Sequence, residues 1–200
     1  MLRRFGFGKK ASASFRRSAE DGDVALVSRV VAGDLQAFEA LYRIYHPRLD
    51  RFLSLITARR TVVEEALNDT MLVVWRRSET YNRQSKVSTW IFAIAYRTAL
   101  KALRSQGDSV EPGVADELAS EEGGPEQRLI ADQTRSAVLR ALEALSPEQR
   151  SVLVLTYFHD LPYAEIARIV DCPVDTVKTR VFHGRRRLRA LLQDDPGGRP

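Results

Sequence analysis

Cysteine is nearly missing from this sequence: Cys172 stands alone among 200 residues, so no intrachain disulfide can form. Long apolar runs are missing as well. No window approaches the roughly 18 apolar residues of a membrane span. The basic start "MLRRFGFGKK" is not followed by an apolar stretch of signal-peptide length. A cytoplasmic protein is therefore expected. The three histidines, His46, His159 and His183, lie far apart and with Cys172 match no metal-ligand spacing. There is no glycine-rich phosphate loop and no Ser-His-Asp arrangement. The adjacent pairs Glu64–Glu65 and Glu121–Glu122 have no base or nucleophile at a matching spacing. The expectation is a protein that is not an enzyme and uses neither metal nor cofactor. Strand-like alternation is scarce, while helical periodicity runs through most of the chain, which predicts an all-α fold.

What the sequence does have is segregated charge. The net charge is +5 and the pI is near 9.6. Residues 1–17 hold six bases and no acid, and residues 105–127 hold seven acids and no base. An excess of positive charge attracts polyanions, and its uneven placement divides the chain. Residues 1–22 read as a flexible basic arm and 23–104 as a first helical domain, with helices near 23–32, 35–57, 62–77 and 87–104. Residues 105–127, rich in Gly, Pro and acids without a sustained apolar face, read as a flexible linker. Residues 128–192 read as a second helical domain and 193–200 as a disordered tail.

The second domain is well punctuated. "SPEQ" at 146–149 is a capping box with Pro147 at the first helical position. Pro162 opens a short helix, "YAEIARIV". A turn at "DCP" follows, with Asp171 where such turns often use glycine, and then comes "CPVDTVKTRVFHGRRRLRALL". A short helix, a tight turn and a basic helix outline a helix-turn-helix. At 100° per residue, Val174, Val177, Val181, Gly184, Leu188 and Leu191 share one arc. Asp175, Thr179, Phe182, His183 and Arg186 lie opposite. Lys178, Arg185 and Arg189 line one flank; Thr176, Arg180 and Arg187 line the other. A helix in the major groove needs a central face for base edges and basic flanks for the phosphate walls. The competing reading is a solvated basic helix at a membrane surface or protein partner, which leaves the turn and the short helix unexplained.

In the first domain, Lys86, Trp90, Arg97, Lys101 and Arg104 fall together on helix 87–104, away from an apolar arc of Val87, Ile91, Ile94, Ala95 and Ala102. A basic stripe with an aromatic suits unpaired nucleic acid, because a base can lie on the ring while phosphates meet the cations. The alternative is a core Trp90 beside solvated charges. Helix 62–77 buries Val63, Ala66, Leu67, Thr70, Met71 and Val74. Its outward arc holds Glu65, Asn68, Asp69, Arg76 and the apolar Leu72. Covering Leu72 with a partner would contribute roughly 1.5–3 kcal/mol, although a singly exposed leucine is also ordinary.

"VVEEALNDTMLVVWRR", "VSTWIFAIAYRTALKALR" and "LSPEQRSVLVLTYFHDLPYAEIARIVDCPVDTVKTRVFHGRRRLRALL" resemble bacterial RNA polymerase sigma factors of the extracytoplasmic-function group. The resemblance implies that residues 23–104 are region 2, which grips the β′ clamp helices of core RNA polymerase and opens the −10 element. It implies that residues 128–192 are region 4, which reads the −35 element and touches the β flap. The implied partners are core polymerase and promoter DNA, with an anti-sigma factor as a further candidate. By the same resemblance Glu65, Asn68, Asp69 and Leu72 face the polymerase, Lys86, Trp90, Arg97, Lys101 and Arg104 face the −10 strand, and the helix from Asp175 to Arg189 faces the −35 groove. Several positions depart from the family pattern. Asn68–Asp69 stands where Gln–Glu is usual, Arg97 where Asn is common, Asp175 where Gly is preferred and His183 where Arg is common. Two rivals remain: a helix-turn-helix regulator that binds duplex DNA as a dimer, and a sigma mimic that sequesters an anti-sigma factor.

Overall fold

A computed structural model describes residues 13–105 and 136–194, and every regular element among them is helical. In chain order these are α1 (Ala13–Val31), α2 (Leu35–Ile56), α3 (Arg60–Arg76), a 3-10 turn (Ser78–Thr80) and α4 (Val87–Ser105). After the undescribed stretch come α5 (136–143), α6 (Pro147–Tyr157), α7 (Tyr163–Ile169) and α8 (Val174–Asp194). The all-α expectation holds. Residues 1–12, residues 106–135 (all of the expected linker after Ser105 and the start of the expected second domain) and the tail beyond Asp194 lie outside the described residues.

Helices α1 to α4 form one bundle. Gly33, at φ +83°, ends α1. Asp34 then starts α2, its carboxylate accepting from the N–H groups of Gln36 (2.9 Å) and Ala37 (3.1 Å). Leu41, Tyr45, Leu49, Phe52, Leu53 and Ile56 recur every three or four residues on α2 and are fully buried. The small side chains Ala95 and Ala99 let α4 approach α3, where Thr70 and Thr98 meet hydroxyl to hydroxyl at 3.0 Å. Helix α1 begins ten residues before its expected start at Asp23, inside what reads as a flexible arm. Tertiary contacts hold the turns around the expected start. Glu20 accepts from the Val87 N–H (2.6 Å) and so caps α4, and Asp23 accepts from the buried Tyr45 hydroxyl. Burial pushes both carboxyls above their ordinary values.

In the second half, Ser146 accepts from the Gln149 N–H (3.3 Å) with Pro147 in the first turn, as the capping box predicts. Helix α6 packs under α8, and α7 packs against both. Asp171 adopts φ +50°, the left-handed conformation expected of it in the turn.

The two halves also pack on each other, α6 against α2 and α7 against α4, and their buried side chains merge into one apolar cluster. Nothing in the periodicity foretells this. The buried Arg150 of α6 donates to the Ile56 carbonyl at the end of α2, to Glu143 O (2.6 Å) and to Leu145 O (3.2 Å). His159, in the turn after α6, sits edge-on between Phe92 (ring centroids 5.0 Å) and Phe52 (5.8 Å).

His159 makes the packed form sensitive to acid. Its Nε2 is buried and finds no hydrogen-bond partner among the described residues. Burial, with Arg48 and Arg51 of α2 nearby, pushes its pKa from 6.5 down to about 4. At this site the unfolded chain therefore binds more protons between those values, so the His159 contribution to stability is full above about pH 6.5 and is lost toward pH 4. Urea unfolding across this range should show a loss on the order of 2 kcal/mol that is absent in His159→Phe. Parallel pH profiles for the two chains would refute the assignment.

Candidate nucleic-acid interface

The geometry of α8 follows from its seam. Val177 and Val181 are buried, and Gly184 lies against α6, where an added Cβ would stand 3.1 Å from Leu153 Cδ1. Leu188 is partly buried on the same side. Val174, at the end of the seam, is 37% exposed, a departure from the expected arc. The opposite face is open: Asp175, Thr179, Phe182, His183 and Arg186 are all exposed, with Phe182 at 63%. Lys178, Arg185, Arg187 and Arg189 flank it in solvent.

Three details differ from the sequence expectation. Lys178 Nζ donates to Asp175 Oδ1 at 2.9 Å, so these two expected DNA-facing groups hold each other. That contact keeps the Asp175 carboxyl below its usual range. Thr179 donates its hydroxyl proton back to the Asp175 carbonyl (2.9 Å), which leaves its lone pairs and methyl for a ligand. Arg180, expected on a phosphate flank, is half-buried and leans on the turn, with Nη1 3.7 Å from Cys172 Sγ; Thr176 is half-buried too.

On α3, the outward arc is as expected: Glu65, Asn68 and Asp69 are exposed, and Leu72 is 44% exposed over a buried Val63, Ala66, Leu67, Thr70, Met71 and Val74. On α4, Lys86 precedes the first turn, and Arg97, Lys101 and Arg104 are exposed. Trp90 serves both readings. It is half-buried against the core, its ring 5.5 Å from that of Tyr81, yet it lines an open groove of about 560 Å³ between α3 and α4. Leu72, Arg76, Arg77, Thr80, Arg97 and Thr98 line the same groove. Arg97, Lys101 and Arg104 continue along α4 into a second hollow with Leu100 and Ser105. The structure thus joins Leu72 to Trp90 and Arg97, which sequence reasoning kept apart. Lys86 stands at the other end of the helix, paired with Glu165 of α7.

Sequence reasoning missed the connection before α4. Residues 77–86 place Arg77 and Thr80 in the groove, stack Tyr81 beside Trp90, and leave Asn82, Arg83 and Gln84 exposed, Arg83 at φ +60°. The signal was the polar, basic run "RRSETYNRQSK", of which only Arg76 and Lys86 are singled out in the sequence reading.

The arrangement of a helical bundle with a basic groove and a helix-turn-helix beside it matches known proteins. Residues 41–108 match the family model for sigma-70 region 2, and residues 135–188 match that for sigma-70 region 4. The chain is 30% identical over 181 residues to the ECF RNA polymerase sigma-E factors of Escherichia coli K12 and Salmonella typhi, covering 86% of this chain and 94% of theirs. The sigma-E factor of Haemophilus influenzae is 27% identical over the same length. Among solved structures, the fold resembles the Bartonella quintana sigma factor RpoE, crystallised with the anti-sigma factor NepR. That match has a TM-score of 0.64 and 22% identity, and covers 80% of this chain and 99% of that one. It also resembles CnrH in complex with the cytosolic domain of CnrY, with a TM-score of 0.66 and 21% identity over 87% and 99% of the two chains. The chain belongs to the sigma-70 family, in its group of ECF RNA polymerase sigma factors.

The close approach at Gly184 decides whether α8 seats on α6. A branched side chain there would meet the Leu153 side chain in a filled core. Gly184→Val should cost roughly 1–3 kcal/mol by overpacking, read as a lower urea midpoint. An unchanged midpoint would show that the Leu153 side chain moves aside at little cost.

Proposed function

We propose that this chain binds core RNA polymerase, carries it to promoters by reading −35 and −10 elements, and favours the opened strands at the start of transcription. The observation that carries the reading is the division of α8 into a buried seam and an exposed face of Thr179, Phe182, His183 and Arg186. In this reading that face meets base edges in the −35 major groove, and Arg185, Arg187 and Arg189 meet phosphate. The Trp90 groove, with Arg97, Lys101, Arg104 and Lys86 along the same helix, holds the −10 strand. The exposed face of α3 docks on the β′ clamp helices through Glu65, Asn68, Asp69 and Leu72, and region 4 touches the β flap. The bond-making chemistry is the polymerase's. An anti-sigma factor, the partner named for the solved Bartonella relative, is the proposed class of regulator.

Run-off transcription with purified core polymerase on promoter libraries tests the reading as a whole, and no selective transcripts would refute it. Docking has its own measurement. Asp69→Arg should abolish co-purification with core polymerase and leave the far-ultraviolet helix signal intact, since Asp69 is exposed. Normal co-purification would remove α3 from the interface.

The facing of α8 is tested by salt titration of holoenzyme on −35 variants. Arg187→Ala should lower the salt slope by about one, because each phosphate contact releases roughly 0.9 counterion. His183→Ala should instead relax selectivity at one base pair, costing about 1–3 kcal/mol there. The reverse pattern would turn the helix over.

A further inference from the structure

We propose that Asp175 and Lys178 act as one unit that selects a single G·C base pair, in one orientation, where the first turn of α8 enters the −35 groove. The proposal rests on the reading of α8 as the helix that lies in that groove. The two residues share a face of α8, where Lys178 Nζ donates to Asp175 Oδ1 at 2.9 Å. Both stand in solvent, the Lys178 side chain 58% exposed and that of Asp175 89%. Asp175 is the acid of the helix's first turn, the end that a recognition helix brings to the base edges. The fold gains little from this contact, since exposed ion pairs are weak and Val177, Val181 and Gly184 seat the helix. A lone carboxylate on this face would be repelled by the surrounding phosphates. Lys178 answers that charge, and the contact holds the carboxyl below and the ammonium above their ordinary values.

The pair matches one base edge. Across the major groove a G·C pair shows guanine N7 and O6, both acceptors, and then the cytosine N4 amino donor. O6 and N4 are hydrogen bonded to each other and so stand roughly 2.9 Å apart, the spacing of Nζ and Oδ1. Of the ammonium's three N–H donors, one meets Asp175 and two are left for N7 and O6. The carboxylate has further lone pairs and accepts from N4. T·A comes nearest among the other pairs, but it sets the thymine methyl in the place of guanine N7 and leaves Lys178 one acceptor. A·T and C·G put an amino donor under Lys178 and an acceptor under Asp175, so both contacts are wrong. The carboxylate thus penalises those two pairs, a selectivity that a lysine alone lacks.

The test is fluorescence anisotropy of the full chain bound to core polymerase, on promoter duplexes carrying each of the four base pairs at every −35 position. At one position the wild-type chain should rank G·C first, then T·A, then A·T and C·G. Asp175→Ala should shrink the penalty on A·T and C·G there about tenfold, the size of one good base contact, and leave other positions alone. Lys178→Ala should erase the advantage of G·C over T·A at the same position, because both pairs offer a donor to Asp175. Glu39→Ala removes the same charge from an exposed turn of α2 and should leave every ranking unchanged. An unchanged ranking in Asp175→Ala overturns the proposal. So does an equal gain on all sequences, which marks Asp175 as a repelled neighbour of phosphate only, and so do changes at different positions in the two variants. A wild-type holoenzyme without preference at any −35 position refutes the proposed function and this inference with it. Selective wild-type binding that Asp175→Ala leaves unaltered refutes this inference alone.

Discussion

The guanidinium of Arg150 is the point on which the two halves of this molecule turn. A helix leaves its last four carbonyls without intrahelical partners, and burying one unsatisfied costs about 1–3 kcal/mol. Arg150 satisfies the Ile56 carbonyl at the end of α2 and, with its other nitrogen, those of Glu143 and Leu145 at the end of α5. A cation placed among the negative ends of helices from both halves is favoured by their dipoles as well as by hydrogen bonds. It does so while buried, and burial pulls its pKa down; Glu143 works against that shift. The joint is thus a compromise between the desolvation of a charge and the desolvation of three carbonyls.

The same economy of faces runs through the rest of the fold. Helix α8 needs one apolar seam to stay on α6, and that requirement leaves its opposite face exposed. Helix α3 buries seven residues and turns Asn68, Asp69 and Leu72 outward. Helix α4 is the most constrained. It is buried on most sides by Ile91, Phe92, Ala95, Tyr96 and Ala99, so its cations crowd onto the single strip left open. Packing on three sides is what turns a helix of ordinary composition into a basic stripe with Trp90 at its edge. Lys86 is the exception. It lies at the helix start, where α7 arrives, and its charge is answered from within the chain.

Exposed ion pairs add little to this. Arg43–Glu39 and Arg60–Glu64 are helix pairs one turn apart and largely in solvent, where such contacts contribute a few tenths of a kcal/mol. The apolar cluster supplies the cohesion, and it runs without a break from Val27 of α1 to Val181 of α8. Where polar groups enter that cluster they are few and mostly bonded, as Thr70 is to the Ala66 carbonyl at 2.6 Å.

Local pattern by itself determined the helices, their caps and their exposed faces. Period and capping place α2, α3, α4 and α6 almost to the residue, because an apolar stripe, a Ser-Pro-Glu-Gln box or an Asp at a left-handed turn acts within a few positions of itself. The same pattern carries the family resemblance and the candidate faces of α3 and α8. What only the tertiary structure decided involves residues distant in sequence. Glu20, upstream of the expected start of α1, meets Val87 across 67 positions, and Trp90 forms a groove with Leu72 because α3 and α4 lie side by side. Lys86 finds Glu165 across 79 positions and Arg150 finds Ile56 across 94. Periodicity reports which face of a helix is apolar. It holds no record of which other helix will cover that face, since any apolar surface of fitting shape gains similarly from burial.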